Sequence, residues 1–197
     1  MGDLLTTPPP LGSVEKSNVL RVSSKDYKAV DKIAGALIIL MAGLKNSSQS
    51  RRRLVICIGS DRSTGDSLGP LVGAYLKQLP LPRTMIWGTL SDPVHALNLE
   101  KYTQKIENDQ SQPLVIAVDA SLGRPGSVGL IEVGKGPLIP GAGVNKNLPP
   151  VGHIYLSGIV NLGGFMEQMV LQSTRLFHVL EIAMVMSRSL QYALDQT

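Results

Sequence analysis

The run Leu54-Val55-Ile56-Cys57-Ile58 contains no polar position. A strand built from it must be buried on both faces, which is the situation of a strand in a parallel sheet covered by helices. It is followed by the turn-rich stretch Gly59 to Asp66 and then by Ser67 to Gln78, where Leu68, Leu71, Val72, Tyr75 and Leu76, continued by Leu79, fall on one side of a helix. The same order recurs. Thr84 to Thr89 reads as a strand, Asp92 to Ile106 as a helix opened by Ser91 or Asp92 with Pro93 in its first turn, and Pro113 to Val118 as a strand. Alternation of this kind requires right-handed crossovers and a parallel sheet.

The flanks are read in the same way. Residues 1–22 are polar, proline-bearing and without period, and are expected to form a flexible arm, which leaves 23–197 as a single α/β domain. With Ser24 as its N-cap, Lys25 to Leu44 has helical spacing at Tyr27, Val30, Ile33, Ala34, Leu37, Ile38 and Met41. Val128 to Val133 and His153 to Ile159 read as strands. Between them Gly134 to Gly152 is rich in glycine and proline, a long loop of the sort that commonly carries function. A helical pattern from about Phe165 to Leu194 closes the chain. Aromatic residues are few, namely Trp87, Phe165, Phe177 and five tyrosines, so the core is left to Leu, Ile, Val, Met and Ala, as suits helices covering a sheet.

Several function classes drop out. The net charge of +4 is not gathered into a patch. Its only run, Arg51-Arg52-Arg53, reads as a solvated lead-in to the apolar strand, with no aromatic residues interleaved to stack bases, so no nucleic-acid partner is expected. Cys57 is the sole cysteine, which excludes a disulfide within the chain and favours a reducing compartment. Mid-strand, it reads as a buried thiol rather than a nucleophile. Met1 to Leu11 has no basic segment followed by an apolar one, so a cytoplasmic location is expected. The longest apolar run, Ala36 to Leu44, is too short for a bilayer, and no membrane partner is expected. Glycines 59, 65 and 69 do not make G-x-G-x-x-G and no Walker lysine follows, which leaves nucleotide binding unsupported. His95, His153 and His178 have no H-E-x-x-H or C-x-x-C company, so neither a metal nor another cofactor is expected.

In an open parallel sheet the ligand site lies outside the carboxyl ends of the strands. Asp119 directly follows Leu114 to Val118, and Asp66 closes the loop after Leu54 to Ile58 at the start of a helix. Taken singly, Asp66 reads as an N-cap and Asp119 as a strand-end turn residue. If their strands are neighbours, the two carboxylates can approach each other, and the pair with glycine-rich loops around it points to chemistry. His95 falls near the same sheet end, as a general base, a ligand, or a capping and packing residue.

The stretch Cys57-Ile58-Gly59-Ser60-Asp61-Arg62-Ser63-Thr64-Gly65-Asp66-Ser67-Leu68-Gly69-Pro70 resembles the signature of the YyaC family of endospore-forming bacteria. So do Gly88 to Ala96, Pro140 to Lys146 and Ser157 to Asn161, in the same order along the chain. At greater distance, Thr64 to Pro70 and Val115 to Ala120 are similar to the segments that carry the two catalytic aspartates of the spore germination protease. The strand-loop-acid layout also resembles the hydrogenase maturation endopeptidases. There the corresponding carboxylates bind metal with a histidine whose place is taken here by Asn145 and Lys146.

The resemblance implies a single-domain three-layer α/β/α sandwich with a mostly parallel sheet, of the phosphorylase and hydrolase-like type. It implies an aspartate-dependent endopeptidase acting in sporulation, in the cytoplasm of the sporulating cell or forespore, with Asp66 and Asp119 as its catalytic pair. Asp61, Arg62, His95, Asn145 and Lys146 would be the auxiliary or substrate-binding groups. The partner would be a protein or peptide substrate, a spore protein among the candidates, and assembly into a homo-oligomer stays open. The competing expectation is a binding module that keeps the peptidase fold without its chemistry and grips a partner through Gly134 to Gly152.

Overall fold

The computed structural model describes residues 19–44, 52–141 and 148–197. Its centre is the predicted apolar strand, β2 (Arg53–Cys57), every residue of which is buried. β2 runs parallel to β4 (Leu114–Gly123) on one side and to β3 (Thr84–Trp87) on the other, and β4 in turn runs parallel to β6 (Ile154–Leu162). β5 (Leu130–Lys135) returns antiparallel to β6, and β1 (Leu20–Ser23) lies antiparallel to β5. The sheet order is therefore β1-β5-β6-β4-β2-β3.

Three helices, α1 (Ala29–Gly43), α2 (Leu68–Leu76) and α5 (Leu176–Asp195), cover one face of this sheet, and the short α4 (Glu167–Gln172) precedes α5. They enclose the larger core, in which Ile33, Leu37, Leu68, Ile182, Met186 and Leu190 meet Val55, Ile116, Val118 and Leu156. On the other face α3 (Leu99–Glu107) sets Leu99 against Leu54, Ile56, Val115 and Ala117. Trp87 and Tyr102 stack at 5.4 Å on this side. The chain is thus a three-layer α/β/α sandwich with a mostly parallel sheet. Among the described residues no helix is long and apolar enough to cross a membrane.

Several boundaries differ from the sequence expectation, each for a local reason. Leu20–Ser23 joins the sheet, so the expected arm does not extend to residue 22. Val22 is buried in the core while Arg21 pairs with Glu132 at 2.6 Å. α1 begins at Ala29 rather than Lys25. Ser24 does not cap it, because a turn intervenes in which Asp26 accepts the Lys28 N–H at 2.9 Å and pairs with Lys32 at 2.6 Å. α3 begins at Leu99 rather than Asp92. Val94 is drawn into a parallel bridge with Ile58, which keeps the preceding chain extended. The C-terminal helical pattern is broken into α4 and α5 at Thr174, which is buried and donates to the Val170 carbonyl at 2.7 Å. The long loop after β5 is also partly paired, with Leu138 bridging Val151.

Arg53 overturns the reading of the arginine run as wholly solvated. It is buried within β2, where Nη1 donates to the Leu194 carbonyl at 2.8 Å and to Thr197 Oγ1 at 2.7 Å, and Nη2 donates to the Pro82 carbonyl at 2.8 Å. Its side chain ties the end of α5 to the turn before β3. Burial, and next the charge of Arg83, pull its pKa below the ordinary arginine value, with Asp195 opposing. Arg53→Ala would orphan buried carbonyls, and the expected cost is about 3 kcal/mol of unfolding free energy in a urea titration. Exposed Arg52→Ala should stay within about 0.5 kcal/mol.

Candidate active site

The loop after β2 is folded tightly enough to bring Asp66 back onto the strand it left. Gly59 adopts φ +137°, and the Ser60 N–H then donates to the Asp66 carbonyl at 3.1 Å. A Cβ on Gly59 would stand 2.0 Å from that carbonyl oxygen, so no other residue permits the closure. Gly65–Ser67 forms a single 3₁₀ turn that runs into α2, with the Ser67 hydroxyl donating to the Thr64 carbonyl at 2.7 Å. Asp66 is therefore a turn residue, and its side chain does not act as the expected N-cap.

β2 and β4 are neighbours, as the approach of the two aspartates requires. Asp119 is not a strand-end residue, however. β4 continues to Gly123, and Asp119 sits within it opposite Ser157 of β6, with only 6% of its surface exposed. Oδ1 accepts the Ala120 N–H at 2.8 Å. Burial, and next the negative charge of Asp66, hold the Asp119 carboxyl well above its ordinary value of 3.8, with the Ala120 amide opposing. Asp66 is also raised by burial, while the Ser60 amide and the His95 charge pull it back. The two acids share one field, and Asp119 is the one driven toward the neutral form.

His95 lies just before α3, half-buried. Its Nδ1 accepts the Leu97 N–H at 3.2 Å, so the neutral ring carries its proton on Nε2. Its backbone N–H donates to Asn98 Oδ1 at 2.8 Å, which fixes the turn that presents it. The structure thus brings His95 within electrostatic reach of Asp66. Asp61 and Arg62 stand exposed at the crest of the loop, where the Arg62 N–H donates to Ser60 Oγ at 3.2 Å. Asn145 and Lys146 lie outside the described residues.

Sequence reasoning missed the residues that frame the pair. Ser157, directly beside Asp119, donates to Ser121 Oγ at 2.9 Å. Asn161 Nδ2 donates to Thr174 Oγ1 at 3.0 Å, holding the end of α4 where Gly65 packs beneath Leu171 and Thr174. The available signal was a polar residue inside an apolar strand: Ser157 is the first such break in Ile154 to Val160 after Tyr155. From Ser121 and Ser157 a groove of about 1400 Å³ runs across β6, β5 and β1 on the sheet face that α3 leaves open. Tyr155, Ile159, Leu130 and the Arg21–Glu132 pair lie along it.

Residues 21–189 match the family model described as "Protein of unknown function (DUF1256)". The chain belongs to this family. It is 51% identical over 169 residues to the "Uncharacterized protein YyaC" of Bacillus subtilis (strain 168), an alignment covering 86% of this chain and 80% of that one. Among solved structures, the NiFe hydrogenase maturation protease HycI from Thermococcus kodakarensis KOD1 aligns over 73% of this chain and 95% of its own, at 18% identity and a TM-score of 0.48.

A metal ion held at the aspartate pair would need at least one further donor beside them. Among the described residues no three His, Cys, Asp or Glu side chains gather where they could hold one. One of the two candidate carboxyls is driven toward its protonated, non-ligating form. Cys57 is buried and its thiol is pushed far up by burial alone, which makes it a core residue and not a ligand or nucleophile. The described residues do not by themselves fit a resident transition metal.

A carboxyl whose folded pKa is raised binds a proton more tightly in the native than in the unfolded chain. Between 3.8 and its folded value, stability therefore falls as pH rises. Replacing Asp119 by the neutral isostere removes that loss. Thermal melts of Asp119→Asn are expected to match wild type near about pH 4 and to lie above it near about pH 7. Parallel melting curves across that range would show that Asp119 ionises normally.

Proposed function

We propose that this chain is an aspartate-dependent endopeptidase acting inside sporulating cells, and that Asp66 and Asp119 divide acid and base work on a peptide bond. One observation carries the reading. Asp119, buried within β4, is electrostatically coupled to Asp66 in the turn after the neighbouring parallel strand β2, and burial together with the charge of Asp66 favours the protonated form of Asp119. Like charges in one site separate into one neutral and one ionised group, which supplies an acid and a base at the same pH.

In the proposed step ionised Asp66 takes a proton from water as its oxygen attacks the scissile carbonyl carbon. Neutral Asp119 donates a hydrogen bond, then its proton, to the carbonyl oxygen, giving a tetrahedral diol. Collapse of the diol re-forms the C=O bond and breaks the C–N bond. The amine leaves with the proton returned by Asp66, and the released carboxylic acid restores the proton on Asp119. The charge of His95 favours the ionised form of Asp66. The groove that begins at Ser121 and Ser157 offers room for an extended chain on one side of the cleaved bond.

The experiment incubates the purified protein with extract of dormant spores from a strain lacking its gene and maps new peptide termini by mass spectrometry. The same variants are tested for complementation of that strain. Asp66→Asn and Asp119→Asn are each expected to fold and to lose cleavage by about a hundredfold or more. If both variants sporulate and germinate like wild type, the catalytic reading fails and the binding module stands. Cleavage is also expected to survive chelation of divalent metals. Loss on chelation, restored by one added metal ion, would overturn the metal-free step.

A further inference from the structure

α5 is wedged between α1 and α2, and its inner faces are buried through Val179, Ile182, Met186, Leu190 and Leu194. One outward stripe remains. Leu176, Leu180 and Met184 recur at i, i+4 spacing and Tyr192 lies two such steps further on, past Arg188, with Phe177 beside the first, and each of the five is 38% to 59% exposed. Flexible methionine and large aromatic groups on an exposed helix ridge are the composition of a protein interface.

The charges on the same helix say what fits there. Arg175 at its start, Glu181, Arg188 and Asp195 at its end alternate in sign, and the order inverts about the midpoint next to Met184. Seven residues span about 10 Å of helix, so Glu181 and Arg188 bracket Met184 by about one turn on each side. Laid antiparallel about a twofold axis at that point, a second copy sets Glu181 against Arg188 and Arg175 against Asp195, each pair occurring twice. Tyr192 then meets Leu176 and Phe177 across the axis. A parallel alignment instead opposes like charges. Among the described residues the ion-pair contact of Glu181 is a long one, 3.9 Å to His178 on its own helix.

We propose that α5 is an isologous dimer interface, its occupant a second copy of this chain in antiparallel contact across Met184. The stripe lies on the helical layer, and the groove beside Asp119 opens on the other face of the sheet, so dimerisation leaves both grooves free.

Sedimentation velocity on the full chain tests this. Wild type is expected to sediment as a dimer at micromolar concentration. Met184→Glu, at an exposed site, is expected to sediment as a monomer with an unchanged thermal melt. Glu181→Arg should weaken the dimer by about tenfold or more, because like charges then face each other twice. Combining it with Arg188→Glu reverses both signs and should restore wild-type association. A monomeric wild type, a dimeric Met184→Glu, or a double variant no tighter than Glu181→Arg would each overturn the proposal.

Discussion

An ionisable side chain in the middle of a central strand has to be answered by everything around it. Asp119 lies between β2 and β6, within β4, and receives one backbone N–H from Ala120. Neither a bulk-water shell nor a paired cation compensates its charge among the described contacts, so the cheapest answer is a proton. That requirement shapes the surroundings. Ser157 and Ser121 place hydroxyls along the adjacent strand positions, and the Gly59 to Asp66 loop delivers a second carboxylate whose charge reinforces the protonated form.

Delivery depends on backbone contact rather than side-chain packing. Gly69 in the first turn of α2 leaves so little room that a Cβ there would stand 2.0 Å from the Ile58 carbonyl oxygen. α2 is therefore seated directly on the end of β2, and the 3₁₀ turn that precedes it has one place to go. The far side of the turn is closed by Leu171 and Thr174, themselves held through Asn161 of β6. Two strands and two helices thus fix Asp66, which matters because acid and base roles depend on separations of less than an ångström. At the opposite end of the sheet Arg53 binds the last turn of α5, so the helix that walls the core is tied at both of its ends.

The parallel core, and the adjacency of the strands that precede Asp66 and Asp119, were legible because they rest on a strong local signal, uninterrupted apolar runs. What escaped were features decided by partners distant in sequence. β1 has four residues and one buried side chain, too little alternation to stand out from a polar arm. The eight residues before α3 have helix-start chemistry in Ser91, Asp92 and Pro93, yet Val94 gains more by entering the core beside Ile58. Asp119 looked like the end of a strand because polarity begins there. β4 in fact continues through Ser121 to Gly123 because β6 pairs with it from Ile116 to Gly123, across a register shift after Ser121. Arg53 looked solvated because its partners are carbonyls near residues 82 and 194, which no local pattern reveals.

The two faces of the sheet are unequal, and the inequality follows from topology. Crossovers from β2 to β3 and from β3 to β4 put one helix on each face, α2 on one and α3 on the other. Beyond β4 the pairing changes, since β5 and β6 form an antiparallel pair. Among the described residues no helix covers their α3-side face. α1 and α5 come from the chain's two flanks and both go to the other side. The open strip therefore begins where the helical crossovers end, at β4, and β4 is the strand that carries Asp119. A groove alongside a buried acid is the geometric remainder of a parallel sheet extended by an antiparallel pair, which is why site and groove occur together in this fold.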